Sequence, residues 1–468
     1  MRVRRRGMRF ALAAFGTVIV SSVLYAFAPA AASAGPAYGL GFSSPTVGHS
    51  YRHGAVPHIV KVPISGSGTA SPTTGTVVTR PGYPTKGPLH YGGGPVVTGQ
   101  PKVYLVFWGS QWGTESTVGG YETFSGDPDG LAPYAQAYYK GLGTNNELWS
   151  AIATQYCQGI ATGATSCPVS PSTQNVAYPN SGGVLAGIWE DTSYTPPTGP
   201  AGDHTTPGAT AVMLAQEAAN AAIQFGDSSI EAQYIILSPT GTNPDGWLDP
   251  KTGYCAYHGY TQDPYFNGAV SGPSVTYSNL PYAPDVNATG SCSSFTSPGV
   301  LDGMGEDINH EYAETLTDPY PGQGWTDAKG NEIADKCDYL LPTQPGSAIY
   351  LQLATGAFDA QGIWANSANK GHGGCETAQS PILLGPVTKV QRAHLGLPIT
   401  PVSISATDGI PGSVLSYQSV ALPAGLGVDP GTGLITGTPT AKGRTAVVID
   451  ISDGTNVSPV SFTWVVTK

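Results

Sequence analysis

Two side chains four residues apart on a helix project from one face, so an imidazole and a carboxylate at that spacing can grip a single metal ion. The run Ile308-Asn309-His310-Glu311-Tyr312-Ala313-Glu314-Thr315-Leu316-Thr317-Asp318-Pro319 has this form, H-E-x-x-E. Read as a zinc site, His310 and Glu314 are ligands, and Glu311 is the general base that activates water. A third ligand is required. Glu332, in Asn331-Glu332-Ile333-Ala334-Asp335-Lys336-Cys337, is the first candidate, followed by Asp318, Asp335 and His258. A glutamate where zinc peptidases often carry a second histidine makes the donor set harder and richer in oxygen, which leaves room for calcium or manganese. Glu306, His310 and Glu314 recur at i, i+4, i+8, beside a line of Asp307, Glu311, Glu314 and Asp318. Such crowding is relieved by a cation or by water, so a solvated acidic face is the other reading.

The helix that must position these groups is expected to start at Ser297-Pro298, an N-cap and N1 pair, and to stop near Thr317, because Asp318 precedes Pro319. Leu301, Met304, Ile308, Tyr312 and Leu316 form its apolar stripe. His310 and Glu314 fall roughly opposite, toward solvent or a cleft. Lys102–Trp108 and Gln233–Ser238 read as buried strands, and Thr210–Phe225 as a helix. Their order predicts an α/β or α+β main domain over 95–384. Residues 35–94, rich in Gly, Pro, Ser and Thr, read as a linker or propeptide-like segment that contains His49, His53 and His58. Alternating runs between Gly/Pro/Asp turns predict an all-β sandwich over 385–468.

Residues 1–34 have the form of an export signal: five arginines, an apolar stretch to about Ala28, and Ala32-Ser33-Ala34 as a cleavage site. A retained anchor is the alternative, and a membrane is a partner only in that case. The segment holds five Arg and no acid, so its removal takes the net charge from -11 to -16. That balance argues against a nucleic-acid partner. An extracellular protein or a cell-wall polymer is the partner class this predicts; the oligomeric state is left open. Six cysteines, none in a C-x-x-C pair, read as three disulfides of an exported chain. Fifteen pairings are possible. Sequential pairing (Cys157–Cys167, Cys255–Cys292, Cys337–Cys375) closes the most local loops.

Two resemblances go beyond residue chemistry. The stretch Leu422-Pro423-Ala424-Gly425-Leu426, with Thr432-Gly433-Leu434-Ile435-Thr436-Gly437-Thr438-Pro439, resembles the Ig-like, cadherin-like repeats of bacterial surface proteins. Some such repeats bind calcium, which implies Asp408, Asp450 or Asp453 as ligands here. Across about residues 90–380 the chain resembles the EXORDIUM-like, phosphate-induced family of secreted proteins. The matching pieces are Tyr91-Gly92-Gly93-Gly94-Pro95, Val103–Gly109, Cys255-Ala256-Tyr257-His258-Gly259, His310–Glu314, Glu332–Cys337 and Trp364-Ala365-Asn366. That resemblance implies an extracellular or wall-associated protein and fixes no catalytic activity. The Asn331–Asp335 segment also loosely resembles the third-ligand segment of thermolysin-like peptidases. Two functions follow as expectations: a secreted metal-dependent hydrolase, zinc-peptidase-like, or a non-catalytic extracellular binding protein with an Ig-like appendage.

Overall fold

The computed structural model describes residues 87–169, 173–193, 208–247, 254–289, 292, 299–338, 340, 342–410 and 412–468. The export signal, the histidines at 49, 53 and 58, and the Ser297-Pro298 helix start lie outside them. Six apolar residues in a row, Val103 to Trp108, cannot alternate between core and solvent, and Lys102–Trp108 (β1) accordingly lies inside a five-stranded sheet with a strand on either side. The other strands are Leu185–Asp191 (β2), Ala232–Leu237 (β3), Tyr257–Tyr260 (β4) and Thr276–Leu280 (β5). Leu131–Gly141 (α1) follows β1, and Ala211–Phe225 (α2) lies between β2 and β3. The strand order is β2-β1-β3-β5-β4. All neighbours are parallel except the edge strand β4, which runs antiparallel to β5 with His258 opposite Ser278.

Asp302–Thr317 (α3) is buried along its whole length, six acidic or histidine side chains included. On one side it meets the β5–β4 edge. Gln233 of β3 donates to Ser278 Oγ at 2.8 Å and to Thr315 Oγ1 at 2.7 Å, a polar tie between sheet and helix. On the other side lies the hairpin Ile349–Leu353 (β6) and Gly356–Ala360 (β7). The approach there is close enough to demand Gly305, whose missing Cβ would sit 2.6 Å from the Asp359 carbonyl oxygen. The helix stops where Pro319 requires. Its start differs from the expected one: the chain turns at Gly299, whose N–H is taken by the Asp302 carboxylate at 2.7 Å, and the helix begins there.

Two boundaries shift as well. Residues 87–94, assigned above to the linker, are fixed: the Asn366 side chain bonds both the N–H and the C=O of Leu89 at 2.8 Å, and Tyr91 pairs opposite Trp325. Ile382–Leu384 (β10), assigned above to the main domain, pairs with Ala406–Asp408 (β13) of the C-terminal part. Isolated short apolar runs carry no mark of which partner they pair with, so composition misplaced both.

The disulfides are Cys157–Cys167, Cys255–Cys292 and Cys337–Cys375. The last acts on α3's surroundings. Ile363–Ala365 (β8) pairs with Gly374–Glu376 (β9), and the Trp364 N–H bonds the Ile333 carbonyl at 2.8 Å, so the 332–337 segment is held at both ends.

The C-terminal part is all β. A four-stranded sheet of Val390–His394 (β11), Val457–Thr467 (β18), Gly443–Ser452 (β17) and Ser416–Ala421 (β14) accompanies a three-stranded one of Val402–Ser403 (β12), Leu434–Gly437 (β16) and Leu426–Val428 (β15). Val447, Ile449 and Ile451 alternate inward along β17 and meet Ile435, Phe462 and Trp464 in a core separate from the main one. No helix among the described residues is long and apolar enough to cross a membrane.

Candidate metal centre

His310 and Glu314 do not face solvent or an open cleft, as the helical period alone predicts. Their face of α3 is covered by β4 and by the 332–335 segment, and both are 0 % exposed, as are Glu311, Asp318 and Glu332. His258, reached from the sheet edge, lies 3.4 Å through Nδ1 from Glu314 Oε2 and 3.5 Å from Glu311 Oε2. Its Nε2 is 3.7 Å from Glu332 Oε1. His310 Nε2 is 3.0 Å from Glu314 Oε1 and 3.7 Å from Asp335 Oδ1. Two sets of donor atoms therefore converge, His258–Glu314–Glu332 and His310–Glu314–Asp335, sharing Glu314.

The hydrogen bonds around the histidines set their tautomers. Gln361 donates through Nε2 to the Ala334 carbonyl at 3.0 Å, so its Oε1 is the atom 3.1 Å from His310 Nδ1, and that nitrogen carries a proton. His258 Nε2 lies 3.0 Å from the Asp318 carbonyl oxygen and must likewise donate. The remaining lone pairs, on His310 Nε2 and His258 Nδ1, then point at carboxylates. Lone pair against anion is repulsive, so a cation, either a proton or a metal, belongs between them.

The acids tell the same story. Glu332 meets no N–H donor, and its side-chain hydrogen bond is with another buried acid, Asp318. Burial pushes its carboxyl well above the usual carboxylate range, and the charges of Glu314, Asp318 and Asp335 push it further. Asp307 is raised strongly and Glu311 is raised, both chiefly by burial. Burial also opposes charge on His258, but hydrogen bonding to Glu311 and Glu314 outweighs it and raises the imidazole to about 10. His310 is raised well above its ordinary value by Glu314 and Asp335, against the same burial. Glu314 is the exception: the two histidines overcome burial and hold it below the usual range. A metal ion would replace these protons. Imidazole nitrogens with carboxylate oxygens suit zinc, and equally manganese or iron.

Asp318 plays a different part from the ligand role considered above. Its carboxylate accepts the N–H groups of Gly322, Gln323 and Gly324 at 2.6, 3.1 and 2.6 Å, while its carbonyl receives His258. Asp335 accepts the Glu332 N–H through Oδ2 at 2.9 Å, which leaves Oδ1 toward His310. Gln361 was not foreseen. A glutamine lying between the apolar ends of β7 and β8 is the only mark it leaves in the sequence. In the C-terminal part, Asp408, Asp450 and Asp453 do not form a group of converging donor atoms among the described residues. Asp453 instead caps its own turn, accepting from the Thr455 N–H at 2.7 Å and from Asn456 Nδ2 at 2.8 Å. A cavity of about 710 Å³ lies elsewhere, lined by Gln155, Asn175, Asn366, Gln379 and Ser458 among others, and includes no residue of the cluster.

Comparison with known proteins bears on the C-terminal part. The He_PIG family, described as "Putative Ig domain", matches residues 381–467. That module is Ig-like. No curated protein matches the chain. Solved structures similar to it include a "putative alpha-galactosidase" from Bacteroides fragilis, 20% identical over 19% of this chain and 18% of that one, TM-score 0.17. Human protocadherin-24 EC1-2 is 16% identical over 19% of this chain and 46% of that one, TM-score 0.17. Drosophila N-cadherin EC1-4 is 12% identical over 27% and 41%, TM-score 0.17. The chain thus spans less than a fifth of the galactosidase-named structure and under half of the two cadherin structures.

Proposed function

We propose that this is an exported metal-dependent hydrolase, peptidase-like, built on an α/β main domain of the EXORDIUM-like kind, with the Ig-like module as an appendage. The observation that carries this reading is the buried convergence of His258, His310, Glu314, Glu332 and Asp335, with two imidazole lone pairs directed into it. These residues fit zinc: the donors are of the right type, and their orientation is held by Gln361 and the Asp318 carbonyl. When bound, such an ion supplies Lewis acidity for hydrolysis near neutral pH. Glu311, beside the ligand pair and raised by burial, is placed to take up and return a proton. The three disulfides fit an oxidising extracellular compartment.

One observation favours a second reading. The donor side chains are sealed from solvent apart from Asp335, at 12 %. A catalytic centre keeps a position open to substrate, whereas a structural one is closed. On this reading the ion locks the main domain of a non-catalytic extracellular or wall-associated binding protein. The experiment is Glu311→Gln against wild type, each with its zinc content measured, on a panel of peptide and ester substrates. Hydrolysis by wild type that falls at least ~100-fold in a fully zinc-loaded variant supports the hydrolase. Full zinc with no hydrolysis by wild type replaces it with the structural reading.

A further inference from the structure

We infer that the centre holds two metal ions rather than one, bridged by the carboxylate of Glu314. This rests on the metal-centre reading above and goes beyond it, since a hydrolase of the H-E-x-x-E type needs only a single ion. The geometry points to it through the division of labour at Glu314. His258 Nδ1 lies against Oε2 at 3.4 Å, and His310 Nε2 lies against Oε1 at 3.0 Å. Each imidazole thus addresses a different oxygen of one carboxylate. Both nitrogens have their lone pairs aimed inward, because the opposite nitrogen of each ring donates outward, to the Asp318 carbonyl and to Gln361.

Each half then has its own third donor. Glu332 stands with His258, its Oε1 3.7 Å from Nε2, and Asp335 with His310. Asp335 commits Oδ2 to the Glu332 N–H and keeps Oδ1 for the His310 side, so the backbone between residues 332 and 335 sets the spacing of the two halves. Glu332 is 0 % exposed, and its side-chain hydrogen bond is with another acid, Asp318. One ion placed between His310, Glu314 and Asp335 leaves the His258 Nδ1 lone pair at the other Glu314 oxygen unanswered, and a second ion there answers it.

The test needs no substrate. Purified full-length mature protein is stripped with a chelator, reloaded with zinc, and dialysed exhaustively before elemental analysis. A second sample is loaded with manganese(II) and examined by electron paramagnetic resonance. Two zinc ions per chain, and a manganese spectrum showing exchange coupling between two ions, are expected. His258→Ala and His310→Ala, each checked for native circular dichroism, should retain one ion apiece and lose the coupling. One zinc per chain with an uncoupled manganese spectrum overturns the two-ion proposal and leaves the single-ion reading standing. No retained zinc at all overturns both. The wild-type measurements decide even if a variant fails to fold.

Discussion

Asp453 of the Ig-like module and Glu332 of the main domain are both carboxylates fixed near a turn, and the chain treats them oppositely. Burial pulls Asp453 up, but Asn456 and Thr455 donate to it and hold it below its usual range. Glu332 is buried completely, shares its side-chain hydrogen bond with another acid, Asp318, and sits among acids that drive it further up. The same contrast separates Asp429, bonded by Gly431 and Thr432, from Glu311 and Asp307. Asp429 and Asp453 complete their turns with the chain's own N–H groups, and Asp408 takes the Ile410 N–H on one oxygen while burial and Asp453 raise it. Around α3, burial raises Glu332, Glu311 and Asp307 beside two imidazole lone pairs. A metal is therefore argued for at α3 and not at Asp408, Asp450 or Asp453.

The contrast breaks most severely at Glu314, which both histidines share. Glu314→Ala should abolish stoichiometric zinc and lower thermal stability by about 3 kcal/mol or more, because two buried imidazoles lose their partner. Elemental analysis and calorimetry measure the two effects. Removing the Cys337–Cys375 bridge by double alanine substitution should cost ~2–4 kcal/mol, since it frees the segment that carries Glu332 and Asp335. Zinc should protect the bridged protein against heat more than the unbridged one. Gln361→Leu keeps the volume but leaves the His310 tautomer unset. Competition with a chromophoric chelator should show zinc affinity weaker by about 10–100-fold.

The smallest effect belongs to the module. Asp453→Ala should lower stability by about 0.5–1 kcal/mol at pH 7 and leave zinc content unchanged. The sign with pH follows from the depressed folded value. The stabilisation is present above the unfolded pKa of about 4 and is lost as pH falls through the folded value. The gap between variant and wild type in thermal scans should accordingly close in strong acid. A zinc deficit in this variant would erase the distinction between the two regions.

How much of this was legible in the sequence depends on how local the cause is. Strands β1 and β3 and helix α2 coincide closely with their apolar runs, because Val, Ile, Leu and Ala at those spacings decide their own burial. The end of α3 is written in Pro319. Its exposure was not legible. Met304, Ile308, Tyr312 and Leu316 mark one face as interior, which by period alone sends His310 and Glu314 outward. They are buried because β4, the 332–335 segment and the β6–β7 hairpin close over the remaining faces, and those partners are distant along the chain: Asp335, whose N–H bonds Glu314 Oε1, lies 21 residues from it. In the sequence His258 is only one of the later candidates for a third ligand. Its place beside Glu314 arises from sheet order, with β4 at the edge, which no spacing encodes. Gln361 lies 51 residues beyond His310 and acts only through tertiary contact.

Anomalous diffraction from crystals of the zinc-loaded protein, recorded on both sides of the zinc absorption edge, tests the central claim most directly. Strong anomalous density within bonding distance of the Glu314 carboxylate, and of His258 Nδ1 or His310 Nε2, is the expected result. A cluster with no anomalous signal in protein shown to be folded and exposed to zinc would mean that protons alone bind these histidines to their acids, and the metal centre would have to be abandoned.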